Sequence, residues 1–507
     1  MAGETAPGRP GNLTTEQEDK LRQLWQLVLQ VCAFGQEQNG ASEAASAADT
    51  VEKAAQEEEA KKEKKSRLSI FSRKKKDAEP APATSPGAPG NPSIVLSLSK
   101  DGDGDKYGQT KQFYETLANM SPQLIRDTIW SMVKHDHPDA LLLRFLRARK
   151  WDVERALIMM IATMDWRARD YKVDTDIMLN GEGAAVVAEK SATDSAEKTL
   201  GKDFMSQIRK GISYVHGHDK QGRPLCFVNV RKHRAGEETE EALERYTVWL
   251  IETCRYVLSP PVDTATIVFD MTGFSTANMD YTPVKFMIKC FEANYPESLG
   301  TVLVHKAPWI FQGIWKVIRG WLDPVVANKV HFTNNAKEME EFIAIKHIPK
   351  DLDGEEDWTY EYVEPVEGEN AKLADIETRD RLLAARGELY KAYEEATAEW
   401  IRLAGAGAVA GSDAKGTAAE EIKAKRTELA EKLRVDYWNI DPYLRARSYY
   451  DRTGLLLPGG KLNWYPETKA AEEKKEEVPV AADTTTAAPA EATVPPAVDT
   501  TNDDDVD

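Results

Sequence analysis

Between residues 205 and 350 two hydrophobic periods take turns along the chain. Short apolar runs rich in β-branched residues, at 225–230, 266–269, 301–304 and 330–332, read as strands. Helical spacing fills the gaps near 239–257, 283–294, 308–320 and 336–343. Strands that alternate with helices of this length need crossover connections, so the pattern specifies an α/β fold with a mostly parallel sheet.

One segment of this region carries more than fold. Residues 295–332 read YPESLGTVLVHKAPWIFQGIWKVIRGWLDPVVANKVHF. A turn at Tyr295-Pro296-Glu297 leads into the buried strand Thr301-Val302-Leu303-Val304. Pro308 then opens a helix with Trp309, Ile310, Phe311, Ile314, Trp315, Val317, Ile318, Trp321 and Leu322 spread over most of its surface. A helix that is apolar nearly all round is either buried on every side or lies against lipid.

The chain has 507 residues, room for two or more domains, and a net charge of −18, which argues against nucleic acid as a partner. No apolar run reaches the 18 or so residues that span a bilayer, and the N-terminus has no signal-peptide core. Four cysteines, Cys32, Cys226, Cys254 and Cys290, sit in apolar contexts without a CxxC pair, as expected of reduced core thiols in a cytosolic protein.

The flanks divide by composition. Residues 1–106 read as largely disordered, apart from an amphipathic helix at about 15–34 that opens on a capping signal, Thr15 then Glu18. Residues 107–178 are helical, with Leu142, Phe145 and Leu146 on one apolar face and Asp152 as the N-cap of a further helix. Residues 180–200 read as a loop. A helical extension follows over 369–460, broken near 405–416, and residues 466–507 read as a disordered acidic tail.

Several segments in order resemble the CRAL-TRIO family of lipid-binding proteins, and within it the fungal phosphatidylinositol transfer proteins. LLRFLRARKWDVERA (142–156) looks like the helical N-terminal module. DKQGRPLCFVNVRKH (219–233), TIVFDMTGF (266–274), YPESLG (295–300), APWIFQGIWKVIRGWLDP (307–324) and NKVHF (328–332) look like the lipid-binding module, here 200–360. The resemblance implies a sheet floor with helices on one side, enclosing a pocket for a single lipid. It also implies that the helix at 309–320 is a mobile gate, with Trp309, Phe311, Ile314, Trp315 and Ile318 as pocket and gate residues.

For the ligand, the resemblance implies phosphatidylinositol held by Arg149, Lys150, Glu297, Asp323 and Lys329, with no other cofactor and no metal. Cations suit its phosphate, and a carboxylate suits its inositol hydroxyls. Two positions depart from the family pattern: Ser298 stands for an Arg after YPE, and Val326 for a Thr. The hydroxyl side chains that hold phosphatidylcholine in the family fall at Val215, Cys226, Ala265 and Ile267. A buried phosphate left unpaired against such a wall costs about 2–7 kcal/mol. The second ligand is therefore expected to be more apolar, a sterol or another neutral lipid.

Residues 61–76 carry nine Lys or Arg around Leu68, Ile70 and Phe71, which suits an anionic membrane surface or a localisation signal. Asp101-Gly102-Asp103-Gly104-Asp105 mimics a calcium loop, but Lys106 stands where Gly is needed and Gln112 where Glu is needed. The pairs His135/His137 and His216/His218 lack a third ligand and read as exposed turn histidines. No nucleophile–base motif occurs, so the chain reads as no enzyme. The function expected is lipid transfer by a cytoplasmic protein that touches membranes transiently, at endoplasmic reticulum, endosome or lipid droplet. The alternative is a lipid-sensing regulatory or scaffold protein of phosphoinositide metabolism or membrane traffic.

Overall fold

The computed structural model describes residues 5–34, 105–407 and 413–465. The basic cluster at 61–76 and the tail from 466 lie outside them.

A five-stranded sheet is the organising element. Its order is β1 (Ser213–His218), β2 (Pro224–Asn229), β3 (Ala265–Asp270), β4 (Leu299–His305) and β5 (Val330–Thr333). β2 to β5 are parallel neighbours, with Ile267 opposite Val302 and Val302 opposite Val330. β1 pairs antiparallel with β2 and is absent from the sequence reading, because SYVHGH interrupts its apolar residues with two histidines and a glycine. Its irregular edge is covered rather than left open: the Val215 N–H donates to the Tyr450 hydroxyl at 2.9 Å.

Side chains alternate across the sheet, as a period of two requires. Leu225, Phe227, Val268 and Leu303 face one way and pack with Tyr214 on Ala336, Met339, Ile343, Ile348 and Leu352. Val228, Ile267, Phe269, Val302 and Val304 face the other way, toward helices Glu240–Tyr256, Tyr281–Lys289 and Phe311–Arg319. The helices on this face leave a space above the sheet.

The N-terminal module is a set of helices, Gln109–Asn119, Pro122–Val133, Pro138–Ala148 and Val153–Asp165. Asp152 caps the last of these by accepting the Arg155 N–H. Residues 180–200, read as a loop, are mostly helical: Leu179–Glu189 and Ala196–Lys210 pack on each other. A Cβ on Gly201 would stand 2.7 Å from the Ala185 carbonyl oxygen, so close helix packing explains the small residues that looked like a linker.

The two flanks are built into the same core. The N-terminal helix spans Thr15–Val31, and its capping box uses Thr14 and Gln17, one residue earlier than the sequence suggests. Residues 5–13, read as unstructured, hold an Arg9–Asp263 ion pair at 3.0 Å. Trp25 donates its indole N–H to Asp139 at 2.6 Å. The same carboxylate accepts Arg426 at 2.6 and 3.1 Å and the Tyr393 hydroxyl at 3.0 Å. Arg426 and Tyr393 belong to a long C-terminal helical hairpin, Ile376–Gly407 and Asp413–Leu444. A second clamp, Arg126 to Glu394, is bidentate at 2.8 Å for each bond.

The four cysteines are buried and unpaired, as thiols in apolar contexts should be. Two of the expected surface histidines are instead interior. His135 faces the Arg255 carbonyl at 3.2 Å, and His216 pairs with Glu356 at 2.7 Å while stacking on Trp358. Burial rather than exposure satisfies them. No cluster of metal-ligating side chains occurs among the described residues.

Candidate lipid-binding site

Above the sheet lies a cavity of about 220 Å³. Well-packed interiors leave few voids larger than a water molecule, so a hole of this size with apolar walls is a ligand space rather than a packing defect. The floor is Val228, Ile267, Phe269, Val302, Val304 and Val330. Leu243, Tyr246 and Thr247 form one wall, and Val284, Met287, Ile288 and Phe291 form another. A smaller lobe of about 70 Å³ shares Ser213, Val228, Tyr246, Ile267 and Leu299 with the first and extends to Cys226, Cys254, Ala265 and Ser298.

The helix Phe311–Arg319 is the roof. Phe311, Ile314, Trp315 and Ile318 line the cavity. Trp309 does not. It is 86% exposed, because the chain from Pro308 to Ile310 is a turn and the helix begins only at Phe311. A helical phase counted from Pro308 therefore misplaces it. Val317 is also exposed, and Gln312, Lys316 and Arg319 give the outer face a polar component. The helix is thus amphipathic and not apolar all round. Among the described residues, no side-chain hydrogen bond or ion pair ties 309–319 to the rest of the protein.

The parallel strands gather charge at the opposite edge of the floor. Arg223 immediately precedes β2, Asp263 stands two residues before β3, Glu297 two residues before β4, and Lys329 immediately precedes β5. Parallel neighbours start at the same edge, so four residues distant in sequence converge. Arg144 and Arg147, three residues apart on one helix face, complete the group. Arg144 donates to the Glu297 carbonyl at 2.9 Å and the Asp263 carbonyl at 2.6 Å. Arg147 Nη2 donates to Asp263 Oδ2 at 3.2 Å, and its Nε lies 3.9 Å from Glu297 Oε2. The Lys329 ammonium donates to the Leu299 carbonyl at 2.7 Å. Burial lowers its pKa, with Glu297 opposing and Arg223, Arg9 and Arg147 adding to the shift.

Of the five headgroup residues expected, Glu297 and Lys329 come together here. Arg149 and Asp323 belong to an adjacent cluster. Arg149 donates to Gln109 Oε1 at 2.6 Å and feels the charges of Asp105, Asp323 and Glu292. Asp323 caps the short helix Pro324–Ala327, and its own N–H donates to Glu292 Oε1 at 2.8 Å. Lys150 sits exposed in a left-handed turn conformation, φ +52°. Arg144, Arg147, Arg9, Arg223 and Asp263 were missed. The i, i+3 spacing of Arg144 and Arg147 in LLRFLRARK was the signal for a shared face, whereas nothing local pointed to Arg9 or Asp263.

Three of the four positions tied to phosphatidylcholine, Cys226, Ala265 and Ile267, line the smaller lobe. Val215 is buried against the C-terminal segment through Tyr450 instead. The lobe wall at these positions offers thiol and hydrocarbon but no hydroxyl.

Comparison with known proteins follows the same lines as the geometry. The CRAL/TRIO domain matches residues 208–354, and the CRAL/TRIO N-terminal domain matches residues 109–162. A CRAL-TRIO domain-containing protein of Schizosaccharomyces pombe is 40% identical over 451 residues, which cover 89% of this chain and 93% of that protein. The phosphatidylinositol transfer protein CSR1 of Eremothecium gossypii is 38% identical over 464 residues, covering 90% of this chain and all of the relative. The SEC14 cytosolic factor of Yarrowia lipolytica is 30% identical over 220 residues, 39% of this chain and 40% of that one. The first two likenesses extend well beyond the two matched domains, and the chain belongs to the CRAL-TRIO family.

Proposed function

We propose that this protein is a lipid transfer protein that takes one phosphatidylinositol, or one neutral lipid, into its gated cavity and exchanges it between membranes. One observation carries the reading. Among the described residues the roof of an apolar cavity is held by apolar side-chain contacts alone, while the end of its floor meets a partly buried cluster of cations. A lipid has the same polarity: chains that need a dry space and a headgroup that needs charge.

Phosphatidylinositol would place its phosphate near Lys329 and its inositol hydroxyls near Glu297, with Arg149, Lys150 and Asp323 as an outer ring. The relative of known name, CSR1, supports the choice of lipid. The thiol and hydrocarbon wall at Cys226, Ala265 and Ile267 favours a sterol or other neutral lipid over phosphatidylcholine as second ligand. The protein would act as a carrier rather than a catalyst, from the cytosol, at surfaces such as endoplasmic reticulum, endosome or lipid droplet. No described helix is long and apolar enough to cross a membrane.

The test is transfer between vesicles by the full chain, with mass spectrometry of the lipid it retains. Lys329→Ala with Glu297→Ala should cut phosphatidylinositol transfer strongly and leave the protein folded. Undiminished transfer would sink the assignment of these two residues. Efficient exchange of labelled phosphatidylcholine would show that the wall is read wrongly.

A further inference from the structure

The strand-edge cluster holds more positive charge than its own carboxylates balance. Arg9, Arg144, Arg147, Arg223 and Lys329 supply five cations. The carboxylates within ion-pair reach are Asp263, Glu297 and Asp219, the last 3.8 Å from Arg223. Neither Arg144 nor Lys329 has a carboxylate within that reach among the described residues; both end on backbone carbonyls. Partly buried cations in excess attract an anion from outside the chain.

Arg147 is the least satisfied of them. Two of its nitrogens are engaged, by Asp263 and by the Gly8 carbonyl at 2.7 Å. The third, Nε, is buried with no hydrogen-bond partner, and a buried unpaired donor on a charged group is costly. Burial also pushes the guanidinium down to about 10, with Asp263 opposing and Arg144 and Arg9 reinforcing the shift.

The N-terminal segment is a structural part of this cluster. Gly8 has φ +75°, and a Cβ there would meet Trp151 at 3.2 Å and Arg147 at 3.3 Å. A left-handed φ favours glycine, and any side chain there would crowd Trp151 and Arg147. The passage delivers Arg9 to the Asp263 carboxylate that Arg147 also uses. The cluster touches the cavity as well: Ser298 lines the smaller lobe and lies 3.5 Å from Arg144.

We propose that Arg147, with Arg9 supplied by the N-terminal segment, receives the phosphate ester of an anionic ligand at the strand-edge cluster, beside the smaller lobe. This rests on the lipid-transfer reading. It extends the headgroup site beyond Lys329 and Glu297 and makes residues 8–9 part of it. A phosphate ester bound there would take the free Nε–H of Arg147 and balance the surplus charge. The ester could belong to a membrane lipid or to a soluble compound, and these are separable.

The experiment uses the full chain and its variants Arg147→Gln, Arg147→Lys, Arg9→Gln and Gly8→Val. Each is incubated with vesicles containing phosphatidylinositol and a fluorescent sterol, and retained lipid is quantified. Loss of a charge-assisted hydrogen bond should lower phosphatidylinositol retention about tenfold or more in Arg147→Gln. Arg9→Gln and Gly8→Val should lower it by a smaller factor, Arg147→Lys should recover part of the loss, and sterol retention should stay unchanged in all four. A parallel arm measures whether inositol 1-phosphate raises the melting temperature of wild type but not of Arg147→Gln. A shift in that arm assigns the site to free esters too; its absence, with the vesicle effect intact, assigns it to lipid alone.

If Arg147→Gln and Arg9→Gln retain phosphatidylinositol like wild type while Lys329→Ala with Glu297→Ala does not, the proposal fails and the transfer reading stands. Equal loss of sterol and phosphatidylinositol also overturns it, since that reports damage to the pocket. A wild-type protein that retains sterol but no anionic lipid overturns the proposal and leaves neutral-lipid transfer standing, whereas one that retains neither lipid overturns both. Arg9 is one-fifth exposed, so its variant keeps the test valid if Arg147→Gln does not fold.

Discussion

The roof helix and the C-terminal hairpin are attached to the same body by opposite means. Phe311–Arg319 rests on the cavity through Phe311, Ile314, Trp315 and Ile318, with no polar tether among the described residues. The hairpin is locked by buried charge, Arg426 on Asp139 and Arg126 on Glu394, and by Arg386 donating to the Lys134 carbonyl at 2.8 Å. Dispersion and hydrophobic contacts are non-directional, so a helix can slide or lift away from them and regain what it loses on a lipid surface. A bidentate pair in a dry site has one geometry, and separating it exposes two unpaired charges. The contrast separates a helix held by non-directional contacts from a hairpin fixed by directional charged pairs.

The strongest way to break this contrast is at Asp139. Burial pushes its carboxyl up, but Arg426 and His137 outweigh that and hold it below the usual carboxylate range. Asp139→Ala leaves Arg426 buried without its partner and strands the indole N–H of Trp25. The expected cost is about 3–5 kcal/mol, read as a large fall in the urea midpoint. A change confined to lipid transfer, with the midpoint unmoved, would show that the clamp is not what holds the hairpin.

The complementary test is Phe311→Asp with Trp315→Asp. Each change removes up to about 1.5–3 kcal/mol of apolar transfer energy and adds charge at the membrane interface. Vesicle binding and transfer should collapse, while far-UV dichroism and a cooperative melt persist. Loss of the cooperative melt would make the helix ordinary core and end the distinction.

Acid sharpens the comparison because the titrating groups sit on the locked side. Burial lowers the pKa of His135 and His137 from the ordinary 6.5, against the pull of Asp136 and Asp139. Their folded values lie below their unfolded ones, so the unfolded chain binds protons first. Stability is therefore full above about pH 6.5 and is lost as pH falls toward the folded values. Below about pH 4 the depressed carboxyl of Asp139, and that of Glu252 among Arg167, Arg255 and Lys134, add a second loss. A melting temperature that is flat from pH 7 to 4 would contradict this.

The smallest effect on stability should come from Trp309→Ala. At 86% exposure the indole buries almost nothing, so the melt should stay within about 0.5 kcal/mol of wild type. Vesicle binding should nevertheless fall, because the ring stands beside the gate where a bilayer would meet it. Unchanged binding would restrict the membrane contact to the four cavity-lining residues.

Much of the fold was legible because its signals are local. The apolar runs of β2 to β4 are nearly continuous, as in strands buried on both faces, and the spacing of the four runs demanded crossovers. β1 was not legible, since its place depends on pairing with β2 and on the Tyr450 hydroxyl, more than 230 residues away in sequence. The helices at 179–210 were hidden for a similar reason: Gly201 reads as a breaker until the Ala185 carbonyl is found against it. Trp309 was misplaced by two residues of turn that a helical wheel cannot see.

The site divides the same way. The sequence by itself determined a mostly parallel sheet with crossover helices, because hydrophobic period is written residue by residue; the cavity and its roof helix came through the family resemblance. It also marked Glu297 and Lys329 through the resemblance of short motifs. Only the tertiary structure decided that Arg223, Asp263, Glu297 and Lys329 share one edge, that one nitrogen of Arg147 is left without a hydrogen bond, and that Arg9 arrives beside it. Charge balance is a property of the groups that surround a point in space, and parallel strands bring together residues that no local window contains.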